Sequence, residues 1–379
     1  MKKIGLYIHI PFCVRKCNYC DFLSFSADDE TKKKYTDSLI REIGAYADAL
    51  KEYSIATIYI GGGTPSVLDI RDTERIVRAA ADSYNADFSG KEFEFTMEVN
   101  PGTVTAEKLS AYRDMGINRL SMGVQSASDT ELAMLGRIHT FYDAECAMDS
   151  ARKAGFDNIS LDLISALPGQ TIEQYMYSVN KILDLEPEHI SSYSLIIEEG
   201  TEFYEKYGPD GPLKGMLPDE TTERRMYYMT RDRLEERGYY RYEISNYAKP
   251  GYESRHNSSY WEGTEYLGLG LGASSLMGNT RYRNTADMAV YLDNPVTRET
   301  DEILDKKARM TEYMILGLRK TKGISISGFR ERFDADMYEI FGKEIKRSLS
   351  EGLLAVRGDM LHLTDRGLDV CNYVFERFI

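Results

Sequence analysis

The first 197 residues alternate between two kinds of hydrophobic pattern. Short apolar runs of β-forming residues are separated by segments with the helical period of apolar positions. The predicted strands are residues 6–10, 57–62, 94–100, 119–125, 158–164 and 189–197. Strands that alternate with helices predict βα units and a parallel sheet. We therefore expect an α/β fold in which six units form a partial, three-quarter (β/α)6 barrel, rather than a closed eightfold one.

Two of the helices between these strands have the clearest patterns. Residues 31–53 predict one long helix, and residues 141–154 predict another that ends at Gly155. The apolar positions of the first helix are Tyr35, Leu39, Ile43, Tyr46 and Leu50.

The pattern changes after about residue 200, and it predicts three regions: 1–200, 201–300 and 301–379. The second region has a helical segment at 221–238 and then strand-like residues. Its Leu-Gly alternation at 267–272 lacks the glycine spacing of a dinucleotide fingerprint and instead predicts a strand that something large approaches closely. The third region has three helices, a hairpin turning at Gly358 and a final helix, an order that resembles a winged helix.

The charge of the chain limits its partners. Acidic residues outnumber basic ones by 61 to 47, for a net charge of −14, which argues against a general nucleic-acid or anionic-membrane surface. The winged-helix-like region has as many acidic as basic residues, so we predict a cap over the barrel or a docking surface and no binding to nucleic acid. The chain has neither a signal-peptide pattern nor an apolar run of membrane-spanning length, so we expect a cytoplasmic protein.

Three of the five cysteines, Cys13, Cys17 and Cys20, lie within eight residues of one another. The spacing C-x3-C-x2-C supplies three thiolates, whereas four would close the coordination of a cubane iron–sulfur cluster. The open iron would accept a chelate such as the amino and carboxylate groups of methionine. An electron passed to the sulfonium of that ligand would break a carbon–sulfur bond. The motif therefore predicts a [4Fe-4S] cluster and radical chemistry on S-adenosylmethionine (SAM).

Other cysteine chemistries fit this spacing less well. Zinc sites usually take four ligands, and no second Cys/His pair follows at zinc-site spacing. A disulfide framework is typical of small exported proteins. Cys146 and Cys371 lie among apolar residues of predicted helices, where we expect buried thiols that act as small hydrophobic groups.

Polar residues stand at the strand ends where a parallel sheet binds its ligands. The second strand runs into a glycine-rich turn at 61–65, which lets the backbone approach a ligand. Glu98, Gln125 and Asp162 stand in the third, fourth and fifth strands, among apolar neighbours. Each is also compatible with a structural hydrogen bond, but together they predict a ligand site.

The stretch from Tyr7 to Cys20 is similar to the signature of radical SAM proteins, and its YxHIPFC pattern resembles the oxygen-independent coproporphyrinogen dehydrogenase superfamily. This resemblance implies that Tyr19 lies against the adenine of SAM and that Tyr7 approaches its methionine end. The other SAM-binding residues that it implies are Gly62, Gly63, Thr64, Glu98, Gln125, Arg137 and Asp162. Arg137 suits a carboxylate, and the acidic residues suit an ammonium group or ribose hydroxyls.

Three features separate an enzyme from a haem carrier within this superfamily. Dehydrogenases resemble C-x3-C-x2-C-x-C, whereas Phe22 stands here in place of the fourth cysteine. They also have a long segment before the YxHIPFC pattern, whereas six residues precede Tyr7. Residues 256–261, HNSSYW, resemble the HNxxYW motif of the haem chaperone branch. All three features favour the carrier, with dehydrogenase activity as the alternative.

The resemblance to the haem chaperone branch implies haem as a ligand of this chain. Imidazole is a common axial ligand of haem iron, so we expect His256 to bind it, with His139 as the rival ligand. The expected partner is a haem-accepting protein, such as a respiratory one, through which the chain would associate peripherally with a membrane.

Overall fold

The computed structural model describes residues 1–84, 86, 88, 90 and 93–379. Its first half consists of six βα units, as the hydrophobic pattern predicts. The strands are β1 (Lys2–Ile10), β2 (Tyr53–Gly62), β3 (Glu94–Val99), β4 (Arg119–Gln125), β5 (Ile159–Ser165) and β6 (His189–Ser194). The helices are α1 (Asp29–Ala45), α2 (Ile70–Tyr84), α3 (Ala106–Asp114), α4 (Asp129–Met134), α5 (Phe141–Lys153), α6 (Ile172–Asp184) and α7 (Glu202–Tyr207).

Side-chain caps fix where several of these helices begin. The Asp28 carboxylate accepts a hydrogen bond from the backbone N–H of Thr31 at the start of α1. Thr140 and Thr171 cap α5 and α6, and each belongs to a reciprocal capping box. Such caps satisfy backbone donors that the first helical turn leaves unpaired.

The predicted helix over residues 31–53 is wrong at its C-terminal end, because α1 stops at Ala45. Residues 46–52 form turns that lead into β2. Tyr46 and Leu50 are nevertheless buried, with 7% and 4% of their surface exposed. The apolar residues keep their helical spacing beyond the end of α1 because the turns that follow it also bury Tyr46 and Leu50.

The described residues include a twelve-stranded sheet whose central strands are parallel to one another. The later strands are β7 (Tyr240–Arg241), β8 (Asn246–Ala248), β9 (Tyr266–Leu269), β10 (Ser274–Met277), β11 (Thr280–Asn284) and β12 (Arg298–Ile303). The strand order is β12-β11-β10-β9-β1-β2-β3-β4-β5-β6-β8-β7. Strand β9 pairs in parallel with β1, and both flanks beyond β9 and β6 are antiparallel. The partial barrel is therefore extended by strands from the second region.

The Leu-Gly alternation forms a strand only in its first half. A Cβ at Gly268 would lie 2.1 Å from the carbonyl oxygen of Ser274, so β10 itself is the close neighbour that the glycine accommodates. Gly270 and Gly272 have φ of 104° and 65° and form the turn that follows β9. This backbone region favours glycine. The helices of this region are α8 (Glu220–Glu236), α9 (Arg255–Trp261) and α10 (Met288–Asp293).

The last part of the chain has the predicted order of helices and a hairpin. It comprises α11 (Lys306–Gly317), β13 (Ile324–Ser325), α12 (Ile326–Phe333), α13 (Met337–Ser350), β14 (Leu354–Arg357), β15 (Met360–Leu363), α14 (Asp365–Asp369) and α15 (Cys371–Phe375). A three-stranded antiparallel sheet in the order β13-β15-β14 forms the wing. The predicted final helix is divided into the two short helices α14 and α15.

Apolar side chains are buried in separate clusters. The largest lies around the parallel strands, and another surrounds Phe329 and Phe341 in the winged-helix-like part. Cys146 is exposed, contrary to prediction, because the buried face of α5 is formed by its neighbours along the helix, and Cys371 is only partly buried. Among the described residues, no helix has both the length and the apolar character needed to cross a bilayer.

Candidate functional site

The three clustered cysteines lie in the loop that follows β1. The N–H of Cys13 donates to the Phe25 carbonyl at 3.0 Å, and the N–H of Phe25 donates to the Pro11 carbonyl at 2.9 Å. These bonds close the base of the loop. Cys13, Cys17 and Cys20 are all partly exposed. The fold therefore presents the thiols at the carboxyl end of β1 instead of burying them.

Asn18 ties the same loop to the rest of the barrel. Its N–H donates to the Leu135 carbonyl at 3.0 Å, and its side-chain amide donates to the Met134 carbonyl at 2.9 Å. Its own carbonyl accepts a hydrogen bond from the N–H of Phe203 at 3.0 Å. Sequence reasoning missed Asn18 because its partners are more than a hundred residues away along the chain.

The glycine-rich turn after β2 packs directly on the cysteine loop. The N–H of Gly63 donates to the Ile10 carbonyl at 2.9 Å, and the N–H of Thr64 donates to the Phe12 carbonyl at 2.7 Å. The Thr64 hydroxyl lies 3.5 Å from the sulfur of Cys13. A Cβ at Gly63 would lie 2.7 Å from the Phe12 carbonyl oxygen, so a larger residue would push the two segments apart.

Glu98, in β3, is held against this turn by two hydrogen bonds. Its Oε1 accepts from the Tyr59 hydroxyl at 2.8 Å, and its Oε2 accepts from the N–H of Gly62 at 3.0 Å. Burial raises the pKa of Glu98 from its ordinary 4.5 to about 7, with the two hydrogen bonds opposing this shift and Asp162 adding to it. A carboxyl group in this setting is suited to a cationic ligand, because an ammonium group would favour its charged form.

Asp162 and Gln125 extend the site along the neighbouring strands. Burial raises the pKa of Asp162 from 3.8 to about 6, against the lowering effect of Arg119 and of its hydrogen bonds. Gln125 ends β4 with a φ of 72°, and its Oε1 accepts from the Tyr193 hydroxyl at 3.3 Å. A positive φ is uncommon outside glycine, and it turns the chain at the carboxyl end of the strand.

Arg137 reaches this site from the segment after α4. Its Nη2 donates to the Gly123 carbonyl at 2.6 Å, and its Nη1 lies 3.5 Å from the sulfur of Cys17. The Nε atom of Arg137 is buried and has no hydrogen-bond partner among the residues that the structure describes. A buried donor without a partner carries a free-energy cost that a bound acceptor such as a carboxylate would relieve.

These side chains enclose one cavity of about 410 Å³ at the carboxyl ends of the barrel strands. The predicted residues that line it are Cys13, Cys17, Tyr19, Cys20, Gly62, Gly63, Thr64, Glu98, Gln125, Arg137 and Asp162. Tyr7 is not brought into this lining. Tyr193, Ser194 and Glu198 also line the cavity and were missed. The same argument from strand ends, applied to β6, would have found them.

The donor set of the cavity fits a cubane cluster with a chelating ligand. Among the described residues, no three His, Cys, Asp or Glu side chains converge as they would on a single metal ion. A cubane instead binds each thiolate through a different iron, which suits three thiols spread over an open loop. Arg137, Glu98 and Asp162 line the same cavity as the three thiols.

A second cavity, of about 560 Å³, lies between the β9–β10 hairpin, α9 and the winged-helix-like part. Its aromatic lining residues are Tyr7, His9, Tyr260, Trp261, Tyr266 and Tyr313, and its charged ones are Arg281, Arg309, Glu312 and Arg332. Arg281 forms an ion pair with Glu312 at 2.7 Å. Arg332 donates to the carbonyls of Glu262 and Gly263, both at 2.6 Å. This cavity therefore combines aromatic rings with guanidinium groups.

His256 lies behind the second cavity and is not part of its lining. Its side chain is 1% exposed, its Nδ1 lies 2.8 Å from the Thr57 hydroxyl, and its Nε2 lies 2.9 Å from the Tyr260 hydroxyl. Burial, and then Arg119, lower the pKa of His256 to about 3. Glu94 fixes the helix by accepting from the His256 N–H at 2.8 Å. Both ring nitrogens are occupied, so the imidazole is not presented to a ligand as the motif alone led us to expect.

His139, the rival ligand, is also buried. Its Nε2 lies 3.2 Å from the Val124 carbonyl, while its Nδ1 has no hydrogen-bond partner in the described part of the chain. Burial, and then Arg137, lower the pKa of His139 to about 4. The side chain is 3% exposed and is absent from the lining of both cavities.

Two known protein families match separate parts of this chain. The radical SAM superfamily matches residues 7–182, and the HemN C-terminal domain matches residues 304–370. The chain is 38% identical to the heme chaperone HemW of Lactococcus lactis over 100% of its own length and 98% of that protein. It is 37% identical to the HemW of Bacillus subtilis, over 98% of both chains, and 31% identical to that of Escherichia coli, over 99% of this chain and 98% of that one.

A solved structure supports the same fold. The coproporphyrinogen III oxidase HemN of Escherichia coli, described as a radical SAM enzyme, superposes with a TM-score of 0.87. The superposition covers 100% of this chain and 90% of that one at 21% sequence identity, which shows the fold alone. Together with the full-length relatives, these matches show that the chain belongs to the heme chaperone HemW branch of the radical SAM superfamily.

Proposed function

We propose that this chain is a haem chaperone, which binds haem and transfers it to an acceptor protein. The names of its full-length relatives support this activity. The observation that carries the proposal is the second cavity, which lies beside the HNSSYW helix and is lined by aromatic rings and guanidinium groups. In the proposed arrangement, residues 1–200 hold the cofactors, residues 201–300 contribute the haem motif, and residues 301–379 close the haem site.

The second cavity has the size and chemistry to receive haem. Its volume of about 560 Å³ lies within the range of roughly 300–1,000 Å³ that is common for ligand and cofactor sites. Porphyrin has apolar faces on which the rings of Trp261 and Tyr313 can pack. Haem also has two propionates, and Arg309 and Arg332 supply guanidinium groups that can pair with them.

The cavity of about 410 Å³ at the carboxyl ends of the barrel strands, the cofactor cavity, is the proposed site of the cluster and SAM. Cys13, Cys17 and Cys20 would bind a [4Fe-4S] cluster, and the other lining residues would hold an exchangeable SAM. A bound cluster, once reduced, would be able to pass an electron to the sulfonium of SAM. Arg137 would bind the carboxylate of SAM through its unpaired donor, and Glu98 would accept hydrogen bonds from the ammonium group. We expect the cluster and SAM to serve together as a structural element, sensor or switch for haem transfer.

The alternative function is oxidative decarboxylation of coproporphyrinogen III, a radical SAM reaction that the superfamily match leaves open. Phe22 argues against it, because this side chain lies in the cofactor cavity at the position of the fourth cysteine and is 62% exposed. Anaerobic turnover with dithionite and SAM, followed by chromatography of the porphyrins, separates the two functions. We expect no protoporphyrinogen, and robust formation of it would favour the enzyme.

Haem titration of the reconstituted chain tests the proposed site. The wild type should bind about one haem per chain, and Arg309→Glu should weaken binding at least tenfold, because it places a carboxylate beside the propionates. Arg357→Glu makes the same charge change on exposed β14 and should leave binding unchanged. Haem binding no stronger than that of an unrelated acidic protein would refute the chaperone proposal. Equal haem affinity of the two variants would instead show that haem binds at a site other than the second cavity.

A further inference from the structure

Two tyrosines of the second cavity are each hydrogen-bonded to a histidine. The Tyr7 hydroxyl lies 2.9 Å from Nδ1 of His9, and the Tyr260 hydroxyl lies 2.9 Å from Nε2 of His256. Both tyrosines line the cavity, and so does His9, whereas His256 does not; the two histidines are 7% and 1% exposed. All four ring nitrogens of the two histidines have hydrogen-bond partners, so the tyrosine oxygens, rather than the imidazoles, are the candidates for binding a metal ion of a ligand in the cavity.

The second ring nitrogen of each histidine is also occupied, and its partner decides which tautomers are available. His9 Nε2 lies 3.0 Å from the Leu23 carbonyl, and a carbonyl only accepts hydrogen bonds. The ring proton of neutral His9 is therefore on Nε2. Its Nδ1 then has no proton and can only accept from Tyr7. For Nδ1 to donate as well, the buried ring would have to become a cation, which is costly.

The pair formed by His256 and Tyr260 is not restricted in this way. His256 Nδ1 lies 2.8 Å from the Thr57 hydroxyl, which can either donate or accept. Neutral His256 can therefore have its proton on Nδ1 or on Nε2. With the proton on Nε2, the ring donates to the oxygen of Tyr260 while the Thr57 hydroxyl donates to Nδ1. Only the tautomer with its proton on Nε2 stabilises a Tyr260 oxygen that has lost its own proton.

Helical geometry holds the pair together. His256 and Tyr260 are four residues apart in α9, so their side chains lie on the same face of the helix. The two rings meet edge to face with centroids 5.0 Å apart, and the His256 ring stacks on Tyr59 of β2 at 5.2 Å. The barrel thus fixes the orientation of the His256 ring, and the His256 ring fixes the orientation of Tyr260.

We propose that Tyr260 is the side chain that binds the iron of ferric haem and that His256 is a positioning residue that donates to the Tyr260 oxygen. This inference rests on the proposed haem chaperone function. On binding, the phenolic O–H bond breaks, a bond between oxygen and iron forms, and one proton leaves to solvent. No electron is transferred, and the iron remains ferric. Tyrosine oxygen is an established type of axial ligand for haem.

Absorption and resonance Raman spectra of the chain with ferric haem test this assignment. Wild type and Tyr7→Phe should both show the vibrations of an iron-bound phenolate, and Tyr260→Phe should lose them. Tyr260→His should convert the spectrum to that of a nitrogen-ligated haem. This variant keeps a polar ligand at the position, so the test does not depend on the stability of Tyr260→Phe.

The role of His256 is tested by the rate of haem loss to an excess of an apo-haem-binding protein. His256→Leu removes the donor and should retain the phenolate bands but lose haem roughly 10- to 100-fold faster, as is usual when the partner of a metal ligand is removed. His256→Gln keeps an N–H donor and should restore most of the retention. A side chain with only a packing role would give equal rates in both variants, which would overturn the positioning assignment.

The outcomes distinguish this inference from the function on which it rests. If the wild type binds no haem, the chaperone proposal fails and the ligand assignment fails with it. If the wild type binds haem and Tyr260→Phe retains the phenolate bands, or if Tyr7→Phe loses them, the Tyr260 assignment alone is wrong. Loss of the bands in Tyr260→Phe, with a nitrogen-ligated spectrum in Tyr260→His, supports it.

Discussion

The substitution Glu98→Gln is expected to stabilise the chain at pH 8 when cluster and SAM have been removed. Burial raises the pKa of the folded-state carboxyl from 4.5 to about 7. Between these two values the unfolded chain releases the proton and the folded chain retains it. The stability of the wild type therefore falls as the pH rises from about 4.5 to 7, and stays lower above that range. Glutamine has no charge to bury, so the variant avoids this loss.

The magnitude follows from the size of the pKa shift. A shift of one unit corresponds to about 1.4 kcal/mol, so an unligated Glu98 would cost about 3 kcal/mol at pH 8 and about 1 kcal/mol at pH 5. The amide of glutamine can accept from the N–H of Gly62 and donate to the Tyr59 oxygen, at a loss of about 1 kcal/mol for weaker hydrogen bonds. The expected net gain is about 2 kcal/mol at pH 8 and about zero at pH 5.

Thermal unfolding of the iron-free chain in reducing buffer measures this gain. At pH 8 the midpoint of Glu98→Gln should exceed that of the wild type by roughly 2–4 °C, and at pH 5 the two should agree. Glu265→Gln is the matched control, because Glu265 accepts from a tyrosine hydroxyl, Tyr53 at 2.7 Å, and from a glycine N–H, Gly278 at 2.9 Å. Its side chain lies outside the cofactor cavity, and we expect the control to be no more stable than wild type at either pH.

The reasoning would be refuted if Glu98→Gln were less stable than the wild type at pH 8, or if its gain did not shrink towards pH 5. Either result would mean that the hydrogen bonds to Glu98 outweigh the cost of burying its charge. SAM binding supplies a second check. The variant should bind SAM more weakly, because the ammonium group loses a charged partner.

Three further outcomes are expected. Cys17→Ser should lose the four-iron cluster on anaerobic reconstitution, as measured by iron and sulfide content and Mössbauer spectra, and retention of a full cluster would remove Cys17 from the ligand set. Gly63→Ala should lower cluster occupancy, since a Cβ there would lie 2.7 Å from the Phe12 carbonyl oxygen, and the same iron assay measures it. Glu94→Ala should destabilise the chain by about 2 kcal/mol in thermal unfolding and accelerate haem loss, because two N–H groups at the start of α9 lose their acceptor.

The strands of the barrel were predictable because their pattern depends on local residues. Strand β4 has the predicted bounds, and the other five predicted barrel strands differ from their predicted bounds by up to four residues. The end of α1 was not predictable, because the turns after Ala45 bury apolar side chains at nearly the same spacing. Helical periodicity reports which side chains are buried, and it does not report the backbone hydrogen bonds that end the helix.

The cofactor cavity was predictable for a topological reason. Parallel strands bring their carboxyl ends to one edge, so Glu98, Gln125 and Asp162 meet although they are far apart in sequence. The position of His256 was not predictable, because the motif gives its neighbours in α9 but not the contact with Thr57 of β2. That contact decides that the imidazole faces the barrel.

The pairing of β1 has a consequence for how the chain is made. Strand β1, which leads into the cysteine loop, is held between β2 and β9, and its register with β9 joins Leu6 to Leu267. A ribosome adds roughly 5–20 residues per second, so β1 emerges at least about ten seconds before its second neighbour exists. Until then, one edge of β1 has no strand partner. If the cysteine loop binds the proposed cluster, the cluster would therefore reach a firmly held loop only in the last stages of synthesis or in the completed chain, although the cysteines are among the first residues made.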